Sequence, residues 1–182
     1  MLEAPAGLAT RPTSDRLRET LFNVLAPRIE GARFLDLYAG SGAVGIEALS
    51  RGAEQAVFVE RAPEALKVLR GNLEKLGIRE GFRVEAGSVV GYLKKIGVKT
   101  ERGFDLVFLD PPYEAAEEYA NVLGMFGGAA AGVLSQGGVV IAEHRRKEKL
   151  SERYGSLGRT RLLEQGDAAL SFYAASAVAA TE

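Results

Sequence analysis

The chain has 182 residues, 47% of them hydrophobic and 26% charged, with a formal net charge of −1. That length and composition fit one domain with a core of its own, and the charge argues against a globally basic nucleic-acid coat. Cysteine is absent and His144 is the single histidine, which leaves no disulfide framework and no thiolate zinc site and argues against a His-based metal site or a Ser-His-Asp triad, so no metal is expected.

Residues 1–10 show no periodicity and read as an N-terminal extension; they lack the apolar core of a signal peptide. Arg11-Pro12-Thr13-Ser14-Asp15 opens a leading helix over 11–28, capped by Thr13 or Ser14. Leu17, Leu21, Val24 and Leu25 recur at helical spacing, and Pro27 closes the run. The first strand is predicted over 32–38. It runs through Asp36, Tyr38 and Ala39 into Gly40-Ser41-Gly42 and then into a helix over 43–51.

Strand, glycine turn and helix together suit a nucleotide-type ligand. Gly40 and Gly42 allow a tight turn and close approach of a ligand to the backbone. The new helix offers unpaired N–H groups. Gly40, Gly42 and Gly45 also satisfy G-x-G-x-x-G, with Glu60 closing the next apolar run. That is equally the dinucleotide pattern, so the glycines alone leave the cofactor open.

The second strand is predicted over 55–60, ending at Glu60. Pro63 starts a helix whose apolar face is Leu66, Leu69, Leu73 and Leu76, and Gly77 ends it. Residues 82–86 read as the third strand and 89–96 as a short helix. Residues 104–109 form a continuous apolar run, the fourth strand, buried on both faces. A helical pattern over 116–134 is interrupted at Gly127-Gly128, where 127–132 reads as a loose helix end. Residues 139–142 are the fifth strand, and 147–154 a short helix or loop. Alternating segments at 159–164 and 168–174 flank Gly166-Asp167 and predict a hairpin. Residues 176–182 are predicted to be disordered.

Alternating strands and helices predict an α/β fold: a mostly parallel sheet of seven strands, helices on both faces, and a C-terminal antiparallel hairpin, in a single domain over 1–182. Strands one to four end at the glycine turn, Glu60, Ser88 and Asp110, so their ends share one crevice. The fourth strand runs into Asp110-Pro111-Pro112-Tyr113. Two prolines cannot continue a central strand, so the chain turns there. Pro111 offers a carbonyl without an N–H, Asp110 a carboxylate and Tyr113 a flat ring. The set suits a planar base carrying an exocyclic amine. Arg11, Arg16 and Arg18 cluster early, and Arg145, Arg146, Lys147 and Lys149 late; either cluster alone reads as a solvated face.

The glycine turn and the Asp-Pro-Pro-Tyr turn together resemble the class I S-adenosylmethionine (SAM) methyltransferases that act on amino groups. Arg11-Pro12-Thr13, Asp15 to Asn23, Asp36 to Gly42 and Glu47 to Gly52 narrow the resemblance to the RsmD family, over roughly residues 3–174. The resemblance implies a Rossmann-like methyltransferase fold and methylation of the exocyclic N2 of a guanine in small-subunit (16S) ribosomal RNA. It implies SAM as cofactor, S-adenosylhomocysteine as product, and the RNA or its assembling ribonucleoprotein particle as partner. A monomer in the cytoplasm, with no membrane partner, is the accompanying expectation.

By the same resemblance, Asp36, Tyr38, Ala39, Gly40, Ser41, Gly42, Glu60 and Arg61 belong to the cofactor site: backbone N–H groups around Gly40 to Ala43 meet the methionine part, Asp36 organises the loop and the methionine amine, and Glu60 accepts from both ribose hydroxyls. Ser88 and Val89 flank the adenine, with Ser88 standing where the family often has an acid or amide. Asp110, Pro111, Pro112 and Tyr113 hold the target base and its amine. Arg11, Arg16 and Arg18 contact RNA phosphates. The family's basic segment ahead of Leu2-Glu3-Ala4-Pro5 has no counterpart in this sequence. His144 reads as an ordinary strand-end residue. Other classes stay open: an NAD-type dehydrogenase, an amine methyltransferase acting on DNA adenine or protein glutamine, and a non-catalytic RNA-binding protein.

Overall fold

Val57-Phe58-Val59 and Leu106-Val107-Phe108-Leu109 have no polar alternation, so both faces of these segments must be covered. The computed structural model describes residues 15–97, 102–112 and 116–175. The predicted extension 1–10, Arg11, Tyr113 and the tail 176–182 lie outside the described residues. The elements run α1 (Asp15–Ile29), β1 (Arg33–Leu37), α2 (Ala43–Ser50), β2 (Gln55–Glu60), α3 (Pro63–Lys75), β3 (Phe82–Ala86), α4 (Val89–Ile96), β4 (Phe104–Leu109), α5 (Ala116–Phe126), β5 (Leu134–Arg145), β6 (Arg153–Tyr154), β7 (Leu157–Gln165) and β8 (Ala168–Ala175).

The sheet order is β3-β2-β1-β4-β5-β8-β7-β6. β3, β2, β1, β4 and β5 pair in parallel, and β8 is antiparallel to both β5 and β7. On one face α1, α2 and α3 pack over Phe34, Phe58, Phe108 and Ile141. On the other, α4 and α5 pack over Leu35, Leu37, Val59, Leu109 and Val140. The parallel α/β sheet with helices on both faces and a terminal hairpin is therefore as the sequence predicts.

Four local readings change. Pro27 lies inside α1, which continues to the buried Ile29. A proline in the last turn gives up only one hydrogen bond, to the carbonyl four residues back, and burying Ile29 offsets it. β5 spans Leu134–Arg145, well beyond 139–142 at both ends. At its start Gly137 takes φ 76°, and a register shift lets Leu134 still pair with Phe104. At its end Glu143, His144 and Arg145 are held by Leu170, Ala169 and Ala168 of β8. An eighth strand, β6, occupies part of 147–154 and pairs with β7.

The fourth change concerns 127–132. The α-helix stops at Phe126, and Gly127 is a contact point: a Cβ there would lie 1.7 Å from the Tyr154 carbonyl oxygen. The Gly127 carbonyl accepts the Ser156 N–H at 2.8 Å. The glycine lets α5 seat directly on the backbone around β6.

Candidate active site

β1 ends because Tyr38 leaves the strand with φ 61°, the positive-φ non-glycine residue among those described. Gly40 and Gly42 follow with φ 55° and 80°. The turn is laced by main-chain bonds: Ala39 N–H to the Val59 carbonyl at 3.0 Å and Gly42 N–H to the Ala39 carbonyl at 2.8 Å. Asn72, 1% exposed on α3, donates through Nδ2 to the Ser41 carbonyl at 3.0 Å. The Tyr38 hydroxyl donates to the Glu118 carboxylate on α5.

The glycines do different work. A Cβ on Gly42 would lie 2.1 Å from Leu69 Cδ1, and one on Gly45 2.3 Å from the Phe58 ring. Both are packing requirements. A Cβ on Gly40 would meet nothing nearer than the Tyr38 carbonyl at 4.0 Å. Gly40 is thus the place where a ligand can approach the backbone.

Two carboxylates brace the corner. Glu60, at the end of β2, accepts the Gly40 N–H at 2.9 Å through Oε2, and the Arg61 and Ala62 N–H groups at 2.8 Å through Oε1. Asp36, 2% exposed, accepts the Gly45 N–H of α2 at 2.9 Å. It does what a capping side chain would do, since Gly42 at the helix start has none. Burial pushes the Asp36 carboxyl up to about 8; the Gly45 N–H opposes this, and the Glu60 charge adds to it.

Asp110 follows β4. Leu109 is level with Leu37 of β1 and Ala142 of β5, so Asp110 stands between the start of the glycine turn and Glu143. Its carboxyl is held well above the usual carboxylate range, first by burial, then by the charges of Glu143 and Asp36. Glu143 is 8% exposed, and its carbonyl accepts the Tyr119 hydroxyl at 2.7 Å. Alternation along the strands puts these acids on one face. Asp36 lies two residues beyond Phe34, Glu60 beyond Phe58, Asp110 beyond Phe108 and Glu143 beyond Ile141, and those four apolar residues form one core cluster. Among the described residues no acid group is arranged to hold a metal ion. Glu60 beside the open flank of Gly40 instead suits a ribose, and the exposed backbone of the glycine turn suits the polar tail of the same ligand, so the residues at the ends of β1 and β2 fit SAM.

Asp36, Tyr38, Ala39, Gly40, Ser41, Gly42, Glu60, Arg61, Asp110, Pro111 and Pro112 therefore meet at the ends of β1, β2 and β4. Ser88 and Val89 lie at the end of β3 on the same edge. The Ser88 hydroxyl oxygen caps α4 by accepting the Gly91 N–H at 3.1 Å, and Val89, the first residue of that helix, is buried. Arg16 is exposed. Arg18 is folded down, paired with Asp15 at 2.9 Å and with Glu47 of α2 at 3.7 Å. In the late cluster Arg146 pairs with Glu164 at 3.2 Å.

His144 is buried on the opposite face. Its Nδ1 meets the Arg145 carbonyl at 2.9 Å and so carries the proton, leaving Nε2 to accept from the Ser171 hydroxyl at 2.9 Å. Burial holds its pKa below the usual value. Sequence reasoning missed Asn72, Glu118, Tyr119 and Glu143. Asn72 carried a signal, a polar residue between Leu69 and Leu73 on an apolar helix face.

The family described as "Conserved hypothetical protein 95" matches residues 1–174. YlbH of Bacillus subtilis (strain 168) is 38% identical over 172 residues, 94% of this chain and 91% of its own length. "Ribosomal RNA small subunit methyltransferase D" of Escherichia coli (strain K12) is 41% identical over 124 residues, 67% of this chain and 60% of that one. The solved structure of yhhF from Escherichia coli superposes with a TM-score of 0.78 at 33% identity, covering 97% of this chain and 92% of that chain.

Proposed function

Since the chain belongs to the RsmD family and has its class I methyltransferase fold, we propose that it transfers a methyl group from SAM to the exocyclic N2 amine of a guanine in small-subunit ribosomal RNA. The observation that carries the reading is the position of Asp110. It opens the Asp-Pro-Pro turn one strand from the glycine corner, with Glu143 on its other side.

When bound, SAM supplies a methyl group on a positively charged sulfur. This chain's own task is placement in line. The backbone around Gly40 to Ala43 receives the methionine part, with Asp36 fixing the loop. Glu60 exchanges its main-chain partners for the ribose hydroxyls. Ser88 and Val89 border the adenine, through the Ser88 backbone rather than its capping hydroxyl. S-adenosylhomocysteine leaves as product.

An aryl amine is a weak nucleophile because its lone pair is drawn into the ring. Hydrogen bonds from N2 to the Asp110 carboxyl and the Pro111 carbonyl favour a pyramidal nitrogen. The proton that N2 sheds after attack lies within reach of Asp110. Tyr113 stacks on the base, which must be unpaired or flipped out to enter. Arg11 and Arg16 are the candidate phosphate contacts; Arg18 serves the contact between α1 and α2. The partner is the RNA or its assembling particle, met by a monomer in the cytoplasm. No helix among the described residues is long and apolar enough to cross a membrane.

Mass spectrometry of ribosomal RNA nucleosides from cells lacking the protein tests the reading. One N2-methylguanosine of the small subunit should vanish and return with the wild-type gene. An unchanged nucleoside profile would overturn it.

A further inference from the structure

β1, β2 and β4 stop at the crevice, but β5 does not. β8 pairs with it through Glu143, His144 and Arg145. The result is a rigid strand that carries Glu143 past the point where its parallel neighbour β4 has ended. The Glu143 carbonyl is held by Tyr119 and its backbone pairs with Leu170, so the residue is fixed on both sides.

Two residues before Glu143, Ile141 packs with Phe108; two residues after Phe108 comes Asp110. Asp110 follows Leu109 and Glu143 follows Ala142, the partner of Leu109, so the two acids come next after a paired level of adjacent strands, near enough for the Glu143 charge to act on the Asp110 carboxyl. Setting one mostly buried carboxyl beside another costs stability. One level down, the same face is apolar, with Phe34, Phe58, Phe108 and Ile141 in one cluster, and an apolar side chain at 143 would extend that cluster without the cost. A cost of this kind is offset where a ligand brings two donors to two acceptors.

Among the four RNA bases, guanine alone presents two adjacent donor groups on its Watson–Crick edge, N1–H and the N2 amine. Adenine and cytosine each place an acceptor next to their amine, and uracil sets its single N–H between two carbonyls. Resting on the function proposed above, we propose that Glu143 selects guanine: its carboxylate accepts N1–H of the target base while Asp110 receives the N2 amine. Asp110 serves the reacting nitrogen, and Glu143 reads which base carries it. A base that turns an N1 lone pair toward Glu143 is rejected.

The test uses single-turnover methyl transfer to a small-subunit RNA segment carrying guanine, 2-aminopurine or 2,6-diaminopurine at the methylated position. Both analogues keep the 2-amine and replace N1–H with a lone pair. The wild type should favour guanine by about ten- to a hundredfold, the size of one good edge contact. Glu143→Gln presents an amide N–H to that lone pair, so the preference should collapse or reverse while SAM affinity by calorimetry is unchanged. Glu143→Asp should keep the preference at a lower rate, and it carries the test if the Gln variant does not fold. Equal wild-type rates on guanine and the analogues, or a preference retained by Glu143→Gln, would overturn the assignment. No transfer to guanine RNA by the wild type would instead remove the function on which it rests.

Discussion

Glu143 and His144 are neighbours on β5 that face opposite sides of the sheet, and the two faces handle buried polarity differently. His144 lies beside Ser171, and each satisfies the other at 2.9 Å. Burial keeps the imidazole neutral, so the pair is a closed account. Glu143 faces Asp110, with Asp36 beyond, and these groups repel. A protein that needed only stability would build the first arrangement on both faces. Acids gathered in this way, with their pKa values pushed up, mark functional sites more than structural ones.

The largest effect should come from the acid that touches the reacting amine. Asp110→Ala should slow methyl transfer by about a hundred- to a thousandfold, the scale of one lost transition-state contact, with SAM affinity held within a few-fold. Single-turnover assays beside calorimetry measure both. A wild-type rate would make the acidic face as structural as the His144 face.

Glu60→Ala should act on the cofactor instead. It strips the acceptor from Gly40, Arg61 and Ala62 and removes the ribose partner. SAM affinity should fall by roughly ten- to a hundredfold, at about 1.5–3 kcal/mol for a charged hydrogen-bonding group. Full affinity in calorimetry would take Glu60 out of the site.

The two faces should also pull thermal stability in opposite directions with pH. Asp36 has its pKa raised from 3.8 to about 8, so in the ligand-free protein its contribution is fully present below about pH 4 and is lost as pH rises through about 8. Asp110, also raised, adds the same slope. The pKa of His144 is lowered from 6.5, so the unfolded chain takes up the proton first and stability is lost as pH falls below that value. Asp36→Asn should flatten the alkaline limb of Tm against pH, and His144→Gln the acid limb. A swap of those assignments in thermal scans would reverse the comparison.

The smallest effect should be that of Tyr119→Phe. It removes the hydroxyl that holds the Glu143 carbonyl at 2.7 Å and should cost about 1 kcal/mol by denaturant melts. Any loss of guanine preference in that variant, beyond the stability loss, would show that Glu143 depends on Tyr119 for its placement.

Much of the corner could be read without coordinates, for physical reasons. An apolar run that breaks into Gly40-Ser41-Gly42 has few conformations to choose from, and Asp110-Pro111-Pro112 cannot prolong a strand. Glu143 could not be found that way. The apolar run 139–142 stops before it, and the strand continues only because β8, some distance later in the chain, pairs with it. Gly127 looked like slack because its partner, the Tyr154 carbonyl, has no sequence signature. Arg18 looked like a free cation because its acidic neighbour Glu47 belongs to another helix.

Gly45 and Phe58 occupy one shared volume, since the ring reaches to 2.3 Å of where a Cβ would be. The two positions therefore form a single unit of heritable change. Alanine at 45 becomes tolerable only alongside a smaller side chain at 58, so drift at either site must wait for the other. Gly40 has no such tether. Across related chains, residues 45 and 58 should covary whatever the cofactor, while exchanges at 40 should track what binds beside it. A glycine pattern read as one cofactor signature thus records two histories, one written by packing and one by the ligand.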